Sequence, residues 1–248
     1  MKSLSAVIIT LNEEKNIGRC IESLLGLADE ILVIDSFSTD KTIEICEAKD
    51  VKLIQNKFEG HIQQKNFALK QAKYDWVLSL DADEALSEVL KQSILQVLKN
   101  PTEKGYRFNR LTNYCGKWVR FCGWYPDSKI RLVNRNYAKW SGVNPHDKLE
   151  LDPGLKEGFI KGDILHYSYY TKEDHFKQIE YFGKIAAEEA YKKGVRVNQI
   201  ILVLKVIMQF IKSYFIKLGI LDGLTGFKIS YRSAYATLRK YQLLRQIK

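Results

Sequence analysis

Apolar positions in the first hundred residues follow two alternating rhythms. Short apolar runs, rich in β-branched residues, at 4–10, 30–35, 51–55 and 76–80 read as strands buried on both faces. Between them, 14–25 places Ile17, Ile21, Leu24 and Leu25 at helical spacing, and 40–48, 62–72 and 87–98 read as further helices. The helix over 40–48 follows a Ser/Thr/Asp start signal, and the one over 87–98 stops at Asn100-Pro101. Strand and helix in alternation predict βαβ units, hence an α/β fold with a mostly parallel central sheet flanked by helices. From Gly105 to about Glu150 the pattern turns aromatic and turn-rich, with Tyr106, Trp118, Trp124 and Trp140, and predicts an antiparallel extension. From Lys172 the chain reads as helical almost to its end, interrupted at 194–196 and 219–223.

Ligands on parallel sheets bind at the carboxyl ends of the strands. Three strand ends here are polar: Thr10 to Glu13, Asp35-Ser36, and Asp81 to Glu84. A Gly-x-Gly-x-x-Gly after the first strand and a Gly-x-x-x-x-Gly-Lys-Ser/Thr are both missing, which argues against a dinucleotide dehydrogenase and a P-loop enzyme. Asp81-Ala82-Asp83 puts two carboxylates just past a strand, where an extended backbone points both to one side. Such oxygen ligands suit Mg²⁺ or Mn²⁺, which bind through a few carboxylates plus substrate phosphate oxygens. The same residues also fit turn chemistry ahead of a helix at Ser87; the position at a strand end favours the metal.

Composition adds three constraints. The hydrophobic fraction of 46% is that of a folded globular chain, and the N-terminal apolar run is too short and too quickly polar for a secretory signal, so a cytoplasmic protein is expected. Cys20, Cys46, Cys115 and Cys122 match no zinc spacing and read as small buried apolar groups. The net charge of +10 lies mostly in the later, helical half, where it predicts either a solvated face or an anionic partner.

Four blocks in order, Ser5 to Glu13, Ile34 to Thr42, Gln64 to Leu69 and Trp76 to Glu84, resemble the family 2 inverting glycosyltransferases of the GT-A fold. Later blocks at 130–135, 142–147, 165–167 and 219–226 are similar to enzymes that add glucose or another hexose to a heptose of the lipopolysaccharide inner core. The resemblance implies a catalytic nucleotide-sugar domain over 1–170 and a C-terminal helical extension over 171–248. It implies a UDP-sugar donor, with Thr10 and Glu13 lining the base pocket, Asp35 near uracil and ribose, Asp81 on ribose or base, and Asp83 on the metal. Many members carry a second Asp where this chain has Ser36, whose hydroxyl can still hydrogen-bond.

Inverting transfer requires a base to take the acceptor hydroxyl's proton. Asp147 matches the subgroup's acid after His, where Glu is usual; Glu84 is the second candidate, and its other reading is a first-turn helix carboxylate. His166 fits a third metal ligand or a diphosphate contact, or else a packed core residue, and His146 flanks the acceptor pocket. His61 and His175 read as surface positions. Arg131, Arg135 and Lys65 are the candidates to meet the diphosphate, Arg131 first, because a guanidinium binds phosphate in a bidentate way. Trp118, Trp124, Tyr125 and Trp140 read as core ahead of sugar-stacking platforms.

Residues 200–219 are apolar but broken by Lys205, Gln209, Lys212 and Lys217, too interrupted for a spanning helix. With Lys205, Gln209, Lys212 and Asn198 near one face, the segment reads as an in-plane helix against the inner face of the membrane, suited to a lipopolysaccharide or lipid-linked saccharide acceptor. Two other functions fit parts of the pattern. An Asp-dependent phosphohydrolase also carries Asp-x-Asp, but after its first strand and with Thr or Val where this chain has Ala85. A basic nucleic-acid-binding protein fits the charge, but carboxylate-lined strand ends would repel phosphates, so no specific nucleic acid is expected.

Overall fold

The computed structural model describes residues 1–143 and 146–247. Asn144, Pro145 and the side chain of His146, all within the 142–147 block, lie outside the described residues. Two compact units divide the chain: Met1–Arg110 with Asp127–His166, and Leu111–Pro126 with Tyr167–Lys248.

The first unit opens with β1 (Leu4–Thr10), α1 (Ile17–Leu24), β2 (Glu30–Asp35), α2 (Thr42–Ala48), β3 (Lys52–Gln55), α3 (His61–Gln71) and β4 (Trp76–Asp81). It continues through β5 (Glu84–Leu86) and α4 (Glu88–Lys99) into β6 (Gly105–Tyr114), which runs on into the second unit. After β7 (Lys117–Val119) in the second unit come β8 (Asp127–Asn134), the hairpin of β9 (Ala138–Val143) and β10 (His146–Leu151), and β11 (Glu157–Tyr169). The sheet order is β3-β2-β1-β4-β8-β6-β11-β5. Neighbours from β3 to β4 pair parallel; β4 with β8, β8 with β6, and β5 with β11 pair antiparallel. This is the α/β arrangement expected for the GT-A type: a mostly parallel sheet flanked by helices, with an antiparallel extension.

The parallel strands are buried on both faces, as their uninterrupted apolar runs predict. In β1, Leu4, Ala6 and Ile8 pack with Ile17, Cys20, Ile21 and Leu24 of α1 and with Leu90 and Ile94 of α4. Val7 faces the other layer, with Ala68 and Leu69 of α3 and Trp140 and Leu149 of the hairpin. Each such buried aliphatic side chain contributes about 1.5–3 kcal/mol. Ser87 caps α4, its Oγ accepting from the Leu90 N–H at 3.3 Å. Gly162 of β11 (φ +113°) lies so close to α4 that a Cβ there would meet the Leu90 backbone nitrogen at 2.5 Å.

Strand β5 was not expected. Residues 84–86 read as the approach to a helix, yet all three are buried, and Glu84 pairs in register with His166. Asp81-Ala82-Asp83 is therefore the tight link between two strands.

The second unit holds α5 (Lys172–Lys192), α6 (Gln199–Ile211), a π turn (Lys212–Ile216), a 3-10 turn (Gly219–Asp222) and α7 (Gly223–Gln246). Thr171 and Asp174 form a capping box at the start of α5. Gly219 and Gly226, at the ends of the 219–226 block, touch: a Cβ on Gly226 would sit 1.7 Å from the Gly219 carbonyl oxygen. The Asp222 carboxylate accepts from the Phe121 N–H at 2.9 Å, tying the turn to the 111–126 segment. That segment buries Tyr114, Val119 and Cys122 with Tyr169 and Ile229.

Two expectations fail here. His175 is not a surface residue: it is 6% exposed, stacked among Tyr114, Trp124 and Tyr169, and burial pushes its imidazole down to about 4. Its charged helical neighbours disguise a position on the buried stripe of α5. Cys115 is exposed, whereas the other three cysteines are buried as expected; all four are free thiols.

Candidate active site

Register brings the polar strand ends to one level. Thr10 pairs with Asp35, and Ile9 pairs with Asp81, so β1, β2 and β4 all finish at the same edge. The loops leaving that edge are tied together: the Asn12 N–H donates to Ser38 Oγ at 2.8 Å, and the Glu13 N–H donates to Thr42 Oγ1 at 2.8 Å. Asp35 is fully buried and accepts from the Ser38 N–H at 3.0 Å and Gln55 Nε2 at 3.3 Å. Ser36 Oγ accepts from Gln64 Nε2 at 3.0 Å, so its hydroxyl is already held. The buried Thr10 hydroxyl has no hydrogen-bond partner among the described residues. Glu13 accepts from Asn16 at 2.7 Å, and burial, reinforced by nearby carboxylates, pushes its carboxyl up.

Beyond this edge lies a dense ionic cluster built on β4, β5, β8 and α3. Arg131, 4% exposed, donates through Nη2 to Asp81 at 3.0 Å and to Glu84 at 3.0 Å. Arg110 reaches Glu84 at 3.4 Å and holds Asp127, its cross-strand partner, at 2.7 Å. Glu84 has a fully buried side chain and also accepts from the Asp81 N–H at 3.0 Å. Lys65 Nζ, itself buried, bridges Asp81 at 3.0 Å and Asp147 at 2.8 Å, and lies 4.5 Å from the centre of the Trp140 ring. Burial alone would raise Asp81, but Lys65 and Arg131 outweigh it and hold the carboxyl well below the usual range. The same carboxylates overcome burial at Arg131 and hold its guanidinium protonated.

Asp83 and His166 pair at 3.0 Å. Burial works against charging His166, but the Asp83 carboxylate offsets it, so the imidazole is pushed up. Among the described residues no three of His, Cys, Asp and Glu form a ready-made metal cage. A carboxylate and an imidazole in contact fit an ion that takes its other ligands from substrate oxygens, as Mg²⁺ and Mn²⁺ do.

The geometry thus gathers Lys65, Asp81, Glu84, Arg131 and Asp147 into one cluster, sets Thr10, Asp35 and Ser36 on the neighbouring strand ends, and leaves Asp83 with His166. Arg135 is not with them: it donates to the last carbonyls of α3 at Leu69, Lys70 and Ala72, and so caps that helix. Arg110 was missed, although its cross-strand pairing with Asp127 holds one side of Glu84. Trp140 is core, as expected, but its ring also lies beneath Lys65 and Arg131. Next to the cluster is a cavity of about 600 Å³, lined by Asp147, Asp81, Lys65, Arg131 and Trp140 together with basic residues of β6, β8 and β10.

Residues 5–135 match the family model described as glycosyl transferase family 2. The chain is 30% identical over 257 residues to an uncharacterised glycosyltransferase of Rickettsia bellii, covering 99% of this chain and 87% of that protein. It is 25% identical over 267 residues to the lipopolysaccharide core biosynthesis glycosyltransferase LpsC of Rhizobium meliloti, covering 97% and 93%. Among solved structures, S. aureus TarS 1–349 aligns with a TM-score of 0.47 at 15% identity, covering 99% of this chain and 92% of that one.

Proposed function

The chain belongs to glycosyl transferase family 2 and is a glycosyltransferase; from that premise we propose that it moves a hexose, glucose foremost, from a UDP-sugar to a saccharide acceptor of the lipopolysaccharide-core class, with inversion at the anomeric carbon. The observation that carries this reading is the bridge of Lys65 between Asp81, at the donor-side strand end, and Asp147, on the β9–β10 hairpin. It supports a site where donor and acceptor chemistry meet. The similarity to the lipopolysaccharide core relative supports the acceptor class.

In this reading Thr10, Glu13, Asp35 and Ser36 receive the base and ribose, and Asp81 closes the far side of that pocket. Asp147 takes the acceptor proton as the acceptor oxygen bonds to the anomeric carbon and the bond to UDP breaks. Lys65 fixes the position of Asp147. Glu84, enclosed by two arginines, serves as their counter-ion and positions Arg131. Asp83 and His166 would hold Mg²⁺ or Mn²⁺, which when bound would neutralise the leaving diphosphate.

The second unit supports contact with the inner face of the membrane. Residues Gln199–Ile216 have a mean hydropathy of 1.6, long and apolar enough to cross a membrane by length and composition, and 11% of the segment is buried. Ile200, Ile216, Leu221 and Leu224 are each more than 60% exposed. The regular helix Gln199–Ile211 is about 20 Å long, and the π turn Lys212–Ile216 carries it toward the ~30 Å hydrocarbon core. With Lys205 within the helix and Lys212 at its end, an in-plane position among anionic headgroups is the better fit.

A thermal-shift panel of nucleotides and nucleotide sugars, with and without Mn²⁺, on wild type and Asp83→Ala tests the donor site. A ligand at a hundredfold excess over its Kd stabilises the folded state by about 2.7 kcal/mol. Stabilisation by a uridine nucleotide that needs both metal and Asp83 is expected. No shift with any nucleotide would sink the proposal.

A further inference from the structure

We infer that the cavity beside Asp147 is an anion subsite that binds an acidic group, a phosphate monoester or a carboxylate, carried by the acceptor saccharide. This rests on the reading that Asp147 faces the acceptor.

The first observation is a concentration of unsatisfied polar atoms. Among the described residues, seven buried side-chain nitrogen or oxygen atoms have no hydrogen-bond partner, and five of them belong to residues lining this cavity: Arg131 Nε and Nη1, Arg107 Nε, Trp140 Nε1 and Ser128 Oγ. A buried donor left without a partner keeps its desolvation penalty, the more so when it is charged, so native interiors rarely tolerate one. Four of the five atoms can only donate, which calls for an acceptor. Arg131 is 4% exposed and Trp140 5%, so water has little access to them.

The second observation is charge. Six basic side chains line the cavity against four acidic ones. Ion pairs engage both signs, Asp81 with Lys65 and Arg131, Asp147 with Lys65, Glu157 with Arg107 at 2.7 Å and Lys129 with Asp127 at 3.0 Å, and the lining keeps an excess of basic over acidic side chains. Lys129 and Arg131 lie two residues apart on β8, hence on one side of that strand, and both line the cavity. The Nε–H and Nη1 of Arg131 lie on different edges of the guanidinium, since Nη2 between them is held by Asp81 and Glu84, so each is left to donate singly to an anion oxygen.

The third observation is position. Thr10, Glu13, Asp35, Ser36, Asp83 and His166 do not line the cavity, whereas Asp147 does; Asp81, Lys65 and Arg131 line it too, so it adjoins the donor's strand end on the side of Asp147. A sugar seated with one hydroxyl at Asp147 would carry its acidic substituent toward Arg131, Arg107 and Lys129.

The test uses inorganic phosphate and glucuronate as probes on the full chain, read by melting temperature and by titration calorimetry against sodium chloride at matched ionic strength. Saturable binding of at least one probe is expected, unchanged by saturating UDP. It should weaken by about tenfold or more in the Arg107→Gln/Lys129→Gln variant, since a hydrogen bond to a charged group contributes about 1.5–3 kcal/mol. Both side chains are partly exposed, and the melting temperature in chloride checks that the variant folds. Preference for phosphate or for glucuronate identifies which acid the acceptor carries. Absence of saturable binding of either probe overturns the inference, as does binding that the variant leaves intact. Competition with UDP would hand the cavity to the donor and overturn it too. If phosphate binds but no nucleotide does, the anion site stands, and both the transferase reading and the assignment to an acceptor fall.

Discussion

Replacing Glu84 separates a reactive carboxylate from a positioning one. Its side chain is fully buried and accepts from Arg131 at 3.0 Å, from Arg110 at 3.4 Å and from the Asp81 N–H at 3.0 Å. Glu84→Ala takes the acceptor from all three donors at once. Breaking a buried ion pair by deleting one partner costs about 3–5 kcal/mol, because the remaining charge is stranded. Here each arginine keeps a second carboxylate, Arg131 with Asp81 and Arg110 with Asp127, so the lower end, about 3 kcal/mol, is expected. At about 2–4 °C per kcal/mol for a chain of this size, the melting temperature should fall by roughly 6–12 °C. Glu84→Gln, which still accepts from the Asp81 N–H, should lose about half as much. Thermal and urea unfolding are measured beside the pH profile of transfer. The positioning role predicts a large stability loss and an unchanged acid limb in whatever activity survives. If Glu84→Ala melts within a degree or two of wild type while transfer collapses, the buried-pair reasoning is refuted and Glu84 must act on substrate.

Asp147→Asn should lower kcat by 10²–10⁴ with a native melting temperature, the range ascribed to a general base; near-normal turnover would exclude Asp147 from that role. His175 is held near 4 when folded against an ordinary 6.5, so it is neutral in the native state. Its contribution is complete above pH 6.5 and is lost as pH falls toward 4, by roughly 3 kcal/mol; a wild-type urea midpoint no more acid-sensitive than that of His175→Phe would contradict this. Gly226→Ala should destabilise by more than about 3 kcal/mol, since its Cβ would collide with the Gly219 carbonyl, and a variant with native stability would show that the contact yields. Flotation on vesicles containing anionic lipid should drop when Lys205 and Lys212 are changed to Glu, and equal flotation on neutral vesicles would remove the headgroup contribution.

Legibility in the sequence followed the range of the interactions. The four parallel strands announce themselves through local apolar runs, and their acidic ends needed only the rule that such ends meet. What Asp81 and Glu84 do was hidden, because Arg131 reaches them from a strand about fifty residues later that lies antiparallel beside β4. Strand β5 escaped because three residues make no period. Lys65 was readable as a basic group, but its bridge to Asp147 spans 82 positions and depends on a hairpin. His175 was misread for a related reason: its stripe on α5 continues through Ile179, Gly183, Ala187 and Ala190, and the small residues mute the helical signal.

The way the two units share the chain also sets how the protein can be recombined with its relatives. Residues 111–126 are interposed in the sequence of the first unit, yet they pack with α7, burying Tyr114, Val119 and Cys122 beside Ile229. A chimera joined at a single point after β11 would give those sixteen residues one parent and the helices they pack against another. Exchanging the second unit intact takes three junctions, at 110/111, 126/127 and 166/167. Shuffled libraries built that way should retain folded members, whereas one-junction libraries should be depleted of them, so the 111–126 segment and the C-terminal helices would be inherited together.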